Sequence, residues 1–403
     1  MPIKINIFPN VYKKSVRDKG NIMSQFKYGH ANALNWEEAA VNCLRQIGKI
    51  KDENLGFLYI TDHFEDEISY INDFFQKQTG IDNWVGTVAI GICATGQEYF
   101  NVPAIVAMVG AFPEGSFKVF GHVNEEYSGL EKFVLEHQSW VDSKIPLFGI
   151  VHANPRNSEL PERVVQLGEN LGDGFLVGGL TSSHKQQSQH PQIANDVLTD
   201  EELDVSGVIF SSAVTVSTRL TQGCSIISQR HEITEADRNI IVRIDNLPAL
   251  QVFKEEIGQE FSKDLNKVAG QIFTALPIQG SDMGDYMVRN IIALDPEHQL
   301  IAIGDFISAG TPILFAKRDV RSAKEDLVKI LNSLKRDLRG AKPKGGVYIS
   351  CLGRGESLFG KDSQEMKLIQ EVLGDFPLVG FFANGEISNQ RLYGYTGILT
   401  LFL

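Results

Sequence analysis

Apolar residues in this chain cluster in short runs that recur in the same order three times. Gly56-Phe57-Leu58-Tyr59-Ile60 reads as a buried strand, because a strand covered on both faces shows a continuous apolar run rather than an alternation. Ile68, Ile71, Phe74 and Phe75 follow at helical spacing, then Val85-Gly86 and Val88-Ala89-Ile90-Gly91, and the run from Pro103 to Val109 closes the tract. Leu147-Phe148-Gly149-Ile150-Val151 opens a second tract, with Val164, Val165 and Leu167 on its helix and then Leu176-Val177-Gly178-Gly179 and Val205 to Phe210. Gly346-Val347-Tyr348-Ile349-Ser350 opens a third, with Met366, Ile369 and Val372, then Leu378-Val379-Gly380-Phe381-Phe382 and Tyr395 to Leu399. From first glycine to the Val-Gly glycine the intervals are 30, 29 and 34 residues, each the length of strand, helix and second strand. This alternation predicts an α/β (α+β) fold of layered mixed β-sheets flanked by helices, with two lobes built from related strand–helix–strand units.

Between the second and third tracts the texture changes. Met287 to Leu294 and Leu300 to Ile303 flank a polar Asp295-Pro296 turn and predict a β-hairpin. Leu247-Pro248-Ala249-Leu250 opens a helix that ends near Gly258, Pro being favoured early in a helix. The domain boundary is placed before that proline, giving domains 1–245 and 246–403, with the sheet shared between the halves rather than cleanly divided. Asp319 to Arg339 predicts an amphipathic helix burying Val320, Ala323, Leu327, Ile330, Leu331 and Leu334. Ser182 to Gln192 is polar and reads as an exposed loop.

The chain has 403 residues, 43% of them hydrophobic, which suits two domains with ample core. Its 38 basic and 50 acidic residues leave a net charge of −12, which argues against binding nucleic acid or an anionic membrane by phosphate neutralisation. No apolar run approaches the roughly 20 residues of a membrane helix. The first residues lack the pattern of a signal peptide. Four cysteines are too few for a disulfide framework. The expected location is the cytoplasm.

Ser350-Cys351-Leu352-Gly353-Arg354-Gly355 is the most specific local signal. Glycines around an arginine at a strand end allow backbone N–H groups to converge on an anion, and the guanidinium adds a fixed fork for carboxylate or phosphate. Asn384-Gly385 marks a turn that delivers Glu386 just beyond a buried strand. If that turn faces the arginine loop, Arg354 takes a ligand carboxylate and Glu386 an amino group, which suits an α-amino acid. The candidate ligand-binding set is therefore Cys351, Gly353, Arg354, Gly355, Asn384 and Glu386; a tight turn with solvated charges is the bland alternative. Cys93, Cys224 and Cys351 all stand near glycine-rich strand ends, without a Cys-x-x-Cys spacing for zinc. Cys351, beside an arginine and a helix start expected at about Asp362, is a candidate for a lowered pKa and a nucleophilic role, set against the reading of a buried, inert thiol, which is preferred. His152 follows a strand and His231 lies between strands, and neither belongs to a metal-binding spacing. No phosphate loop, dinucleotide fingerprint or nucleophile elbow is present.

Leu176-Val177-Gly178-Gly179-Leu180, Thr221-Gln222-Gly223-Cys224, Leu247 to Leu250, Ser350 to Gly355 and Gly380 to Glu386 stand in an order that resembles FIST proteins, a FIST N domain followed by a FIST C domain. Gly91 to Gly96 matches more loosely. The resemblance implies a non-catalytic sensory module that binds a small ligand, with amino acids suggested, and signals to a separate effector such as a histidine kinase or a cyclic-dinucleotide enzyme. One bacterial branch of the family binds haem and senses nitric oxide through a partner histidine kinase. That branch would require a histidine axial ligand, for which His231 and His152 are the candidates, with haem b as the cofactor.

Overall fold

The three tracts are three copies of one sheet unit. In the computed structural model, which describes residues 25–121, 129–144, 147–169, 171, 174–199, 205–278 and 286–403, strand Leu55–Thr61 is parallel to Trp84–Ala89 and antiparallel to Ala104–Gly110, with helix Ile68–Thr79 joining the parallel pair. Phe148–Ala153, Leu160–Glu169, Phe175–Leu180 and Val205–Phe210 repeat that arrangement. Gly345–Cys351, Gln364–Leu373, Leu378–Ala383 and Thr396–Phe402 repeat it again. Strand pairing explains the recurrent Val-Gly pair. Gly86, Gly178 and Gly380 face Leu58, Val151 and Tyr348 across the parallel register, and a Cβ at any of them would run into the carbonyl oxygen opposite.

Each unit sends its next hairpin out of its own sheet. The first unit's hairpin, Gly91–Ala94 with Gln97–Phe100, pairs with Leu378–Ala383 of the third unit. The third unit's hairpin, Glu386–Ser388 with Arg391–Tyr393, pairs with Phe175–Leu180 of the second. The second unit's hairpin, Gln192–Ala194 with Asp196–Leu198, pairs with Trp84–Ala89 of the first. In all three exchanges one hairpin residue stands opposite the recurrent glycine: Cys93 on Gly380, Ile387 on Gly178 and Ile193 on Gly86. Three six-stranded sheets of the same strand order result, each completed by one further edge strand, Lys27–Asn32, Phe117–Phe120 or Val216–Gln222.

The inward faces of these sheets share one core that includes Phe57, Tyr59, Ile150, Val347, Ile349 and Phe381. Helices Trp36–Ile47 and Ile68–Thr79 cover the outside of the first sheet through Ala40, Cys43, Ile71 and Phe75. Each large apolar side chain fully removed from water there contributes roughly 1.5–3 kcal/mol. Residues 25–221 and 326–403 belong to one compact body, while residues 222–325 form a second.

Residues 222–325 close an antiparallel barrel in the order His231–Asp237, Ile240–Ile244, Leu300–Ile303, Tyr286–Asp295, Ile272–Pro277, Pro312–Arg318 and back to the first strand. It contains the hairpin expected around Asp295-Pro296. Helix Ala249–Glu256 buries Leu250 and Phe253 with Ile233, Ile244, Ile301 and Phe315.

Two expectations need correction. Val320 is exposed at the start of helix Val320–Leu338, whose buried stripe runs through Ala323, Leu327, Ile330, Leu331 and Leu334. The 182–192 segment is only partly exposed: Ser182, Ser188 and Gln192 are buried. Ser182 Oγ accepts from Ile90 N at 2.9 Å and donates to Phe382 O at 2.9 Å, tying together the points where all three units leave their sheets. Among the described residues no helix is long and apolar enough to cross a membrane.

Candidate functional site

Strand Gly345–Cys351 runs out at the carboxyl end of the third unit's parallel pair, the edge at which open α/β sheets hold their ligands. The chain then turns through Gly353 and Arg354 into the short helix Gly355–Phe359. Gly355 has φ +49°, and a Cβ there would meet the rings of Phe382 and Phe100 at 2.7 and 2.9 Å, so glycine is required both for conformation and for space. The turn folds the Arg354 side chain inward until it is fully buried.

The anion expected at this turn comes from the protein itself. Glu365, in the first turn of helix Gln364–Leu373, is fully buried and takes Arg354 Nε at 2.9 Å and Nη2 at 2.7 Å on Oε1. Tyr348 OH donates to the same oxygen at 2.7 Å. Gly355 N donates to Oε2 at 2.9 Å, with Ser350 Oγ at 3.4 Å. The Arg354 guanidinium also lies 5.1 Å from the centre of the Phe359 ring. Burial opposes the charge on Arg354, but Glu365 more than offsets it and the net shift is upward.

Two more carboxyls flank this pair. Glu98 arrives on the hairpin supplied by the first unit; its Oε1 accepts Met366 N at 3.2 Å and its own N donates to Ser363 Oγ at 2.8 Å. Burial, reinforced by the negative charge of Glu365, pushes the Glu98 carboxyl up to about 8. Glu386 is fully buried, and its Oε2 accepts Thr396 N at 3.0 Å and Thr396 Oγ1 at 2.7 Å. Burial pushes it up to about 8 as well, with Cys351 and Arg354 as neighbours that pull the other way. Burial thus favours the neutral form of both flanking carboxyls.

Four polar atoms in this cluster are buried without a hydrogen-bond partner: Arg354 Nη1 and Nη2, Glu98 Oε2 and Glu386 Oε1. For Nη2 the contact with Glu365 is an ion-pair approach rather than an aligned hydrogen bond. Buried polar groups are nearly always satisfied, so a concentration of exceptions calls for an explanation.

Of the residues singled out in the sequence, Cys351, Gly353, Arg354, Gly355 and Glu386 are gathered here. Asn384 is exposed where the chain leaves the sheet, and its backbone N donates to Leu180 O at 3.1 Å. Of the two readings of Cys351, the structure supports the buried, inert thiol and not an activated one. Its thiol is buried, and burial first and then the neighbouring Glu386 carboxyl push it well above the ordinary thiol value, so little of it is thiolate. Glu98, Glu365 and Tyr348 carried no motif. Glu365 lies four residues before Ile369 and hence on the buried stripe of its helix, which was a usable signal. Glu98 gave none, because a hairpin from another unit brings it in.

The two histidines lie elsewhere. His231, in the barrel, has Nδ1 2.6 Å from Asp245 Oδ2 and Nε2 3.1 Å from Glu256 Oε1, so both ring nitrogens are occupied. His152 is fully buried between Tyr59 and Phe381, its ring centre 5.6 Å from each. Its Nε2 is 3.3 Å from Tyr59 OH, and burial pushes its pKa down to about 3. An axial ligand needs a nitrogen directed into a slot the size of the macrocycle, and neither histidine provides one; these residues do not fit haem. Among the described residues no group of three or more His, Cys, Asp or Glu side chains is arranged to hold a metal ion.

Comparison with known families places a FIST N domain on residues 54–247 and a FIST C domain on residues 249–389. The chain is 27% identical over 330 residues to the uncharacterized protein Rv0628c of Mycobacterium tuberculosis, covering 79% of this chain and 83% of that one. It is 29% identical over 238 residues to the uncharacterized protein Mb0898c of Mycobacterium bovis, covering 57% of this chain and 60% of that one.

Proposed function

This chain belongs to the FIST family, whose domains are associated with sensing small ligands in signal transduction, and on that premise we propose that it is a cytoplasmic sensor of an amino-acid-like ligand. FIST domains are sensory rather than catalytic, which suits a protein without an enzymatic role. The ligand would lie between Arg354 and Glu386, with Cys351, Gly353 and Gly355 shaping the turn and Asn384 at the rim. Its bound state would be read by a separate effector, a histidine kinase or a cyclic-dinucleotide enzyme.

The observation that supports this reading is the set of unpartnered atoms around Arg354. Nη1 of the guanidinium is an unmatched donor that suits a carboxylate, and the unmatched oxygens of Glu386 and Glu98 suit an ammonium group. Arg354 is already paired with Glu365 and fully enclosed, so ligand entry requires the turn to open.

Thermal-shift and calorimetric titration of the full chain with the common amino acids tests the proposal. One or a few should raise the melting temperature, and Glu386→Gln should weaken them about tenfold or more, a Gln being unable to take the ammonium charge. Binding should also strengthen as pH rises from 6 to 8, because a cationic group is taken up better once Glu386 gives up its proton. Unchanged melting with every amino acid at millimolar concentration would sink the idea.

A further inference from the structure

The first unit carries a cavity whose lining includes none of the Arg354 cluster. It has a volume of about 560 Å³ and lies at the amino ends of the first unit's parallel strands. Ligand cavities commonly fall between roughly 300 and 1,000 Å³. Asn54 and Asn83 stand immediately before strands Leu55–Thr61 and Trp84–Ala89, and Asn195 sits in the turn of the hairpin that pairs with the second of these.

The three amides are held in fixed orientations. Asn54 is used on both sides, donating to Phe112 O at 2.9 Å and accepting Phe112 N at 2.9 Å. Asn83 Nδ2 donates to Asn54 O at 3.1 Å, which leaves its Oδ1 as an acceptor. Asn195 Oδ1 accepts Trp84 N at 3.3 Å, which leaves its Nδ2 as a donor. One preset acceptor and one preset donor complement the N–H and C=O of a peptide group. Glu114 and Lys118 line the same cavity, and among the described residues neither has an ion-pair partner. Phe117 and Val119 add apolar wall.

We propose that this groove binds a short peptide with free termini, in the simplest case a dipeptide. Asn83 and Asn195 take the peptide group, Glu114 the terminal ammonium and Lys118 the terminal carboxylate. The site is independent of the Arg354 cluster and stands whether or not that cluster binds an amino acid.

Calorimetric titration of the full chain with L-alanyl-L-leucine tests it. Acetylating the amino terminus or amidating the carboxyl terminus should each weaken binding about fivefold, the range of one partly exposed charge contact. Glu114→Gln should remove the effect of acetylation alone, and Lys118→Gln the effect of amidation alone. Unchanged melting of the unliganded variants would confirm that neither substitution acts through folding. Saturating free leucine should leave the dipeptide titration unaltered. No heat at millimolar dipeptide, equal affinity of the capped forms, displacement by leucine, or equal binding of maltose would each overturn the proposal.

Discussion

Arg354 and Glu365 neutralise each other in the interior: both side chains have 0% exposure, and Nη2 stands 2.7 Å from Oε1. A pair so enclosed contributes little net stability, since the desolvation of two charges offsets most of their attraction. Breaking it from one side is another matter, because the remaining charge then has no counterion and no water.

Arg354→Met and Glu365→Gln should therefore each cost about 3–5 kcal/mol, and the double variant clearly less than the sum of the two. Urea unfolding of the three variants measures this. Additive losses would mean that the two side chains are not coupled as their geometry requires.

Stability should depend on pH in two opposed ways. Glu98 and Glu386 sit at about 8 when folded against an ordinary carboxyl value of 4.5, so the folded chain holds more protons and loses stability as pH rises from about 4.5 to 8. His152 sits at about 3 when folded against 6.5 unfolded, so there the unfolded chain holds more protons and stability rises between about 3 and 6.5. Melting temperature followed from pH 5 to 9 should fall less steeply for Glu386→Gln than for the unaltered chain. Parallel curves would remove the buried-acid reading of Glu386.

The family boundary between residues 247 and 249 separates strands that hydrogen-bond to each other. Chains 1–248 and 249–403 prepared separately should each lack a cooperative unfolding transition, because the third sheet needs Gly91–Phe100 of the first half and the second sheet needs Glu386–Tyr393 of the other. Mixing or co-expressing them should restore the transition. Sharp independent melting of both pieces would contradict the exchange.

The repeated unit was legible in the sequence because one backbone approach dictates it each time. Gly86, Gly178 and Gly380 cannot carry a side chain against the strand opposite, and that constraint left a mark at a regular interval. Arg354 was legible as an anion binder for a local reason, the glycines of its turn. The burial of Glu365 was legible from the stripe it shares with Ile369, but its pairing with Arg354 was not, since it follows a strained Asp362-Ser363 pair, φ +65° and +56°, and no turn pattern announces where that carboxylate swings. The hairpin exchange left no trace at all. Cys93 pairs with Gly380 by backbone groups that every residue possesses, across a separation in sequence that periodicity cannot see.

Because hairpins pass from first unit to third, third to second and second to first, the sheets form a closed circuit with no free end. Glu98, which its hairpin brings against Ser363 and Met366 of the third unit, is only nine residues beyond the last residue of the first unit's inner strand. The third unit's hairpin is likewise seated on the second unit, whose own hairpin returns to the first. None of the three sheets is therefore complete on its own, and each owes one edge to a neighbour that depends in turn on another.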